Sequence, residues 1–400
     1  MKTKYTFLAA AFALLSVSAC SDDSVEPNPA PKPAPEPAKE TLDLGNITTN
    51  TTLEDIFTDP ATPDYRVTAD VKISAVLTIK PGVVIEVAQG KGIEVSEKGL
   101  LPAVGQQDKK IIFRGKSQTT GYWKGITVYA GSQASVMEHV EIAHTGSSVL
   151  FDNKKAAIGL FGSGSNPAKL SIKNSQLHHN AGYGIYVAGD AQLTGFAANS
   201  FTHHAESGLY ISADEVQNLD AASVFSDNAK GDIEVFSGTI DGPAQVVWPA
   251  YTYRYTSGTL FVKTGWEISA GAVIEMGDGL YIEVSNEPDA YIHAAGTATK
   301  KVTFTSIKKE PGAWKGLGIF SANDSNLLEH TVVENGGSSV IYGVKANIYV
   351  PFSNRLTIRN SKVANSAGYG IYYRSTATLN SDFEQVNAFE ANASGTVYKD

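Results

Sequence analysis

His144, His179, His204 and Asp227 come nearest, by residue type and spacing, to a reactive constellation in this 400-residue chain. Superimposing the segments around Ile142, Leu177, Thr202 and Phe225 puts all four in one column. Imidazole nitrogens beside a carboxylate are a ligand set that Zn2+ and similar ions accept, so the column is a candidate metal site with zinc as its ion. The second half of the chain argues for another use of the same position. Asn335 and Asn365 stand there, and Asn favours turns because its side chain bonds nearby backbone. On that reading His replaces Asn and bonds the backbone of the next layer. His178 and His203, facing outward, are a further candidate pair for a metal ion.

The aromatic residues suggest a different chemistry. Tyr183, Tyr186, Tyr210, Tyr369 and Tyr372, with Tyr373 beside them, recur in strand-like segments. Rings displayed on a strand face stack on sugars through their apolar bodies and leave polar tips wet. These tyrosines are therefore candidate ligand-binding residues, and a polysaccharide or a glycan-bearing surface is the partner they imply. The competing role is cover for coil edges, since Tyr is a favoured strand residue. Trp248, Tyr251, Tyr253 and Tyr255 gather between the two halves of the chain, and Trp123 and Trp314 occupy equivalent places, which packing explains better than a single site does. Asp190, Asp214, Glu215, Asp232 and Asp278 sit beside Gly or at turns and read as solvated turn residues.

The elements behind these residues are announced by repetition. Gly121-Tyr122-Trp123-Lys124-Gly125-Ile126 recurs as Gly312-Ala313-Trp314-Lys315-Gly316-Leu317, a shift of 191 from Trp123 to Trp314, and Glu138-His139 meets Glu329-His330 at the same shift. Ala181-Gly182-Tyr183-Gly184-Ile185-Tyr186 returns as Ala367-Gly368-Tyr369-Gly370-Ile371-Tyr372. The chain is thus a duplication, with halves at 65–245 and 250–400. Inside a half the step is shorter: 25 residues from His178-His179 to His203-His204, and 24 from Gly184-Ile185-Tyr186 to Gly208-Leu209-Tyr210. Apolar residues alternate within each step, as at Leu170 and Ile172 or Ile111 and Phe113, between Gly, Asn and Asp. That pattern is of short, half-buried strands. Three strands per step, stacked at ~4.8 Å, make an all-β fold, a right-handed parallel β-helix.

Leu77-Thr78-Ile79-Lys80-Pro81-Gly82-Val83-Val84-Ile85 and the Trp-Lys-Gly segments resemble the right-handed parallel β-helix surface proteins of bacteria, in the pectin-lyase-like superfold. The resemblance covers nearly everything from Tyr65 onward and implies the solenoid, but it does not choose among lyases, hydrolases, adhesins and spacers. Enzymes of that superfold gather carboxylates on one face for acid and base work, or Asp ligands for calcium with a basic partner. No Asn-Thr-Asp, Asp-Asp, Gly-His-Gly and Arg-Ile-Lys series stands in the coil register, and no residue is assigned as catalytic.

The N-terminus carries Lys2 and Lys4, an apolar run from Tyr5 to Leu15, then Val17-Ser18-Ala19-Cys20. The run is too short for a membrane span and reads as a cleaved signal peptide at 1–19. Val17-Ser18-Ala19-Cys20 resembles the lipobox of bacterial lipoproteins, which implies a covalent diacylglycerol on Cys20, the chain's only cysteine, and a membrane partner reached through that anchor. Ser21-Asp22-Asp23 resembles the surface-export signal of Bacteroidota lipoproteins and implies the outer-membrane surface, with the periplasmic face as the alternative. Pro-rich sequence from Glu26 to Lys39 makes 20–40 a semi-rigid stalk. Residues 41–64 form a lead-in whose Leu53–Phe57 segment suits one capping helical turn, and Asn46-Ile47-Thr48 and Asn50-Thr51-Thr52 are polar lead-in. With the two leader lysines removed the net charge moves from −9 to −11, which excludes nucleic acid as a partner. No further cofactor is implied. The expectation is an anchored binding or adhesion protein, with a polysaccharide lyase or glycoside hydrolase, or a structural spacer, as the alternatives.

Overall fold

The structure is a computed structural model, which describes residues 39–151, 153–162, 166–242 and 245–400. The lipidation and signal-peptide assignments at 1–20 lie outside the described residues. Residues from Lys39 to Asp400 form one compact unit. It is an all-β, right-handed parallel β-helix in which every named strand pairs only with parallel neighbours.

One turn of the first repeat shows how the coil is made. Ile111–Gly115, Ile126–Val128 and Ser135–Glu138 lie on the first, second and third faces. Val140–Ala143, Ala156–Leu160 and Lys169–Lys173 repeat that path one layer on and pair with them residue by residue. Because side chains alternate across a strand, each layer sends every second residue inward, onto the matching residue below. On the second face the inward column is unbroken through thirteen strands: Val71, Ile93, Ile126, Ile158, Ile185, Leu209, Ile233, Tyr253, Ile274, Phe304, Val333, Val363 and Phe389. All but Phe389 are buried, and each such side chain contributes about 1.5–3 kcal/mol through the area it removes from water.

The Trp-x-Gly motif has a packing role in both repeats. The buried Trp123 and Trp314 indoles donate Nε1–H to the Ala143 and Glu334 carbonyls at 2.7 and 2.8 Å. Gly125 and Gly316 follow at φ 120° and 118°, and a Cβ on either would stand 2.7 Å from a carbonyl oxygen of the next layer. Trp248, Tyr253 and Tyr255 are buried where the repeats meet, with the Trp248 and Tyr253 rings 4.7 Å apart and tilted by 44°.

The segment 41–64 is an incomplete first coil and holds no helical turn. Leu42–Asp43 pairs with Tyr65–Val67, Thr51–Leu53 with Leu77–Ile79, and Ile47 bridges to Ile73. Leu53 ends a strand, and the chain beyond it is fastened by the buried Asp64 carboxylate, which accepts from the Ile56, Phe57 and Val84 amides at 2.7, 2.8 and 2.6 Å. Those bonds satisfy open amides that a helix cap would otherwise serve. Asn46 and Asn50 do similar work, each accepting the amide of a residue in the next layer, Lys72 and Val76.

The second repeat joins the rod one face round from the first. Ile111–Gly115 lies in the eight-stranded sheet, whereas its counterpart Val302–Ser306 lies in the thirteen-stranded one. Val84–Val87 and Val273–Met276 are divided in the same way. Where the repeats meet, a 3-10 helix, Ala213–Asn218, stands in the place of a third-face strand. It packs on Gln192–Ala197 below and against Thr239–Ile240 and Gln245–Trp248 above, and Glu215 accepts the Leu193 amide at 2.9 Å. The eight-stranded sheet ends at Val224–Ser226 and the six-stranded third face at Gln192–Ala197, so only the second face runs through both repeats.

Ile233 sits in that shared sheet at the join. Ile233→Ala is expected to cost about 2–5 kcal/mol and to split urea unfolding into two transitions, whereas Ile158→Ala, within a repeat, costs a similar amount and leaves the number of transitions unchanged. Equal behaviour of the two variants in circular-dichroism melts would show that the repeats are not coupled through this sheet.

Candidate functional site

Strand pairing sets the histidine register directly. Leu177 pairs with Phe201 and Phe201 with Phe225, so Ala143, His178, Thr202 and Ser226 share one column. The next column is His144, His179, His203 and Asp227, all in left-handed backbone at φ 69°, 53°, 56° and 56°. His203, not His204, belongs with the other three. The His-His doublet recurs after 25 residues while the strands that carry it step by 24, so His178 pairs with Thr202 and the second doublet starts one position later in its layer. Asn335 and Asn365 occupy the same left-handed turn in the second repeat, at φ 66° and 52°. Short polar side chains tolerate that conformation best.

His204 falls one position further, inside the coil, in a ladder with Thr145, Asn180 and Asn228. Asn180 Oδ1 accepts from the Thr145 amide and hydroxyl at 2.9 and 2.8 Å, Asn228 Oδ1 accepts from the His204 amide at 3.1 Å, and Asn180 Nδ2 lies 3.3 Å from His204 Nδ1. His144, His178, His179 and His203 remain outside. The His179 and His203 rings stack at 4.6 Å and 4°, presenting faces rather than lone pairs to each other. His178 Nδ1 lies 2.9 Å from His179 Nδ1, and His178 Nε2 lies 3.3 Å from Glu141 Oε1. Among the described residues no group of three His, Cys, Asp or Glu side chains is placed to hold a metal ion, so the column does not fit zinc.

The tyrosines named from the sequence are covered. Tyr183, Tyr186 and Tyr210 are buried on the outside of the second face, with Tyr186 stacked 5.0 Å from Tyr210. Above them the chain folds back at Leu150, Phe151 and Lys154: Leu150 packs on the rings, Lys154 Nζ stands 4.6 Å from the Tyr210 centroid, and an antiparallel bridge joins Phe151 to Lys154. The second repeat has the same flap, in which Ile341 bridges to Val344 over Tyr281, Tyr349 and Tyr372. Tyr372 is fully buried and Tyr369 partly so. The apolar residues in each flap displace water from those rings, which cannot then serve as an open platform.

Open rings stand beside each flap instead. Tyr129 and Phe151 are 37% and 56% exposed, and both lie over Phe161, at 5.6 and 5.4 Å. They line a groove of about 430 Å3 with Glu97, Asn166 and Ala188. In the second repeat Phe320 and Phe352 flank Tyr342 at 6.1 and 5.6 Å, with Tyr342 and Phe352 39% and 47% exposed, and the Arg374 guanidinium lies 5.3 Å from the Phe352 ring. Tyr129 and Phe320, and Phe151 and Tyr342, are separated by the same 191 residues as the two tryptophans. That shift is the sequence signal that marks the pair.

The scattered acids divide. Asp190 and Asp278 are exposed at turns, with Asp278 paired to Lys308, and Asp214 is exposed in the 3-10 helix. Glu215 and Asp232 are structural rather than solvated: each accepts a backbone amide of another layer, Leu193 and Thr252, and burial raises both carboxyl pKa values.

No protein-family model matches the chain, and no curated protein or solved structure does either.

Burial holds the His204 imidazole down to about 3, and burial with the charges of His178 and His179 holds His144 down to about 4. An unfolded histidine titrates near 6.5, so between that value and the folded ones the unfolded chain binds more protons. The stability these groups contribute is complete above pH 6.5 and is lost as the pH falls toward 4. The slope is about 1.4 kcal/mol per pH unit for His204. His204→Asn, matching its ladder neighbours, is expected to flatten urea-derived stability between pH 6.5 and 4 by about that slope; an unchanged pH profile would remove His204 as the cause.

Proposed function

We propose that this protein is a lipid-anchored, extracytoplasmic β-helix that binds or adheres to glycan without cleaving it, displayed on the outer-membrane surface. The carrying observation is the aromatic cluster that stands open in each repeat, at Tyr129, Phe151 and Phe161 and again at Phe320, Tyr342 and Phe352. Exposed aromatic rings backed by further rings are costly to leave in water and offer flat apolar faces to the C–H faces of sugars. The polar groups around the first groove, Asn166 and Glu97, are of the kind that bond sugar hydroxyls. Among the described residues Glu97 is the one carboxylate lining that groove, whereas glycosidic cleavage by paired carboxylates needs two about 5–9.5 Å apart. Cys20 supports the anchor, since two acyl chains on one cysteine hold a protein stably on a membrane.

Two measurements check this reading. Membrane fractionation is expected to find the protein with the membrane and the Cys20→Ser variant in the soluble fraction; equal partitioning of both would sink the anchor. A glycan array run beside reducing-sugar and unsaturated-product assays is expected to give binding without product. Product release from a bound polysaccharide would replace adhesion by catalysis.

A further inference from the structure

We infer that the two aromatic clusters are separate sites facing different sides of the rod, so that one molecule bridges two chains of a neutral polysaccharide. This rests on the glycan-binding reading above. Tyr129 and Phe161 each directly follow a strand of the second face, Ile126–Val128 and Ala156–Leu160. Phe320 directly follows Gly316–Ile319, and Phe352 comes two residues after Ala346–Val350, strands of the seven-stranded sheet. That sheet starts at Thr239–Ile240, against the 3-10 helix that replaces a third-face strand. The second cluster therefore looks out from the next corner of the coil.

The clusters are also far apart along the axis. Seven strand-to-strand steps of the shared sheet separate Ile126–Val128 from Val302–Ser306, or ~34 Å at ~4.8 Å a step. A straight sugar chain lying in one groove runs along one corner and cannot reach the other. Each cluster thus needs its own ligand segment.

Local charge points to an uncharged sugar. Beside Tyr129, Lys72 is held by Glu94 at 2.9 Å, and Glu97 and Lys98 line the same adjoining groove, so both signs are equally present. Beside Tyr342, Arg374 lies 3.7 Å from Asp400, Lys399 stands over Tyr373, and the Glu283 carboxylate acts on Tyr342. Neither site presents the excess cation that a uronate or sulfated polymer selects. Arg374 stands where the first repeat has Ala188, which makes the two sites separately addressable by mutation.

The test uses the full-length, non-lipidated Cys20→Ser chain with mannohexaose, cellohexaose and laminarihexaose as probes in calorimetry, and the corresponding soluble polysaccharides in a turbidity assay. The expected result is two hexasaccharides bound per chain, little changed by added salt, and polysaccharide cross-linked by the protein. Phe151→Ala and Tyr342→Ala, both at exposed positions, each leave one site, weaken the other at least about tenfold, and abolish cross-linking while binding persists. Arg374→Ala affects only the site that Tyr342→Ala affects. A stoichiometry of one, or loss of all binding in either single variant, overturns bridging while glycan binding stands. Binding that appears only with acidic glycans and falls steeply with salt overturns the choice of a neutral ligand. Failure of the parent chain to bind any glycan, neutral or acidic, overturns the glycan-binding reading itself.

Discussion

Every layer of this molecule is held by residues resting on their own counterparts one coil away, and that stacking constrains all else. In the second face thirteen inward side chains, from Val71 to Phe389, form one column whose members must each fill the space left by the next. Tyr253 and Phe304 fit among Ile and Val because the opposing faces adjust, with Trp266 meeting Phe304 at 6.0 Å. Protein interiors are too densely packed for a layer to change size alone. Inward positions are thus committed to packing, and chemistry is left to the corners, the loops and the outward faces.

The same stacking explains why a turn position repeats so faithfully. A coil that must bend at one height in every layer needs a left-handed residue there each time, and His144, His179, His203 and Asp227 supply it in the first repeat as Asn335 and Asn365 do in the second. What resembles a ligand set in the sequence is a set of solutions to one backbone problem. The neighbouring ladder of Thr145, Asn180, His204 and Asn228 answers a second problem, the pairing of buried amides between layers.

Much of the architecture was legible because stacking writes itself into the sequence: the duplication, the coil length of about two dozen residues and the alternating strands all follow from matched residues at fixed steps. The misreadings have local causes. A doublet of identical residues conceals a one-residue slip, and alternation alone cannot tell 24 from 25, so sequence spacing sets His204 in the column that His203 occupies. Period-two patterning says which tyrosines point outward but not whether a loop returns to cover them. Leu150, Ile341 and Val344, which provide that cover, lie in segments whose Gly and Ser content reads as plain loop. The strands of 41–64 are too short to show a period, so their pairing leaves no mark in the sequence.

The rotation between the repeats could not be read from sequence at all, since it depends on which face a strand joins and not on which residues compose it. One 3-10 helix, Ala213–Asn218, substitutes for a strand, and two of the three faces stop within a layer or two of it. The face that continues accepts the second repeat a step out of phase, and the buried aromatic packing of Trp248, Tyr253 and Trp266 fills the mismatch between the two registers. A duplication joined in phase would set equivalent surface features in line along one corner. Joined out of phase, it separates them around the axis, so a gene-level copy gives two sites with different outlooks rather than one longer site. Because one sheet runs unbroken through both repeats, the angle between those outlooks is set by the fold and owes nothing to a flexible linker.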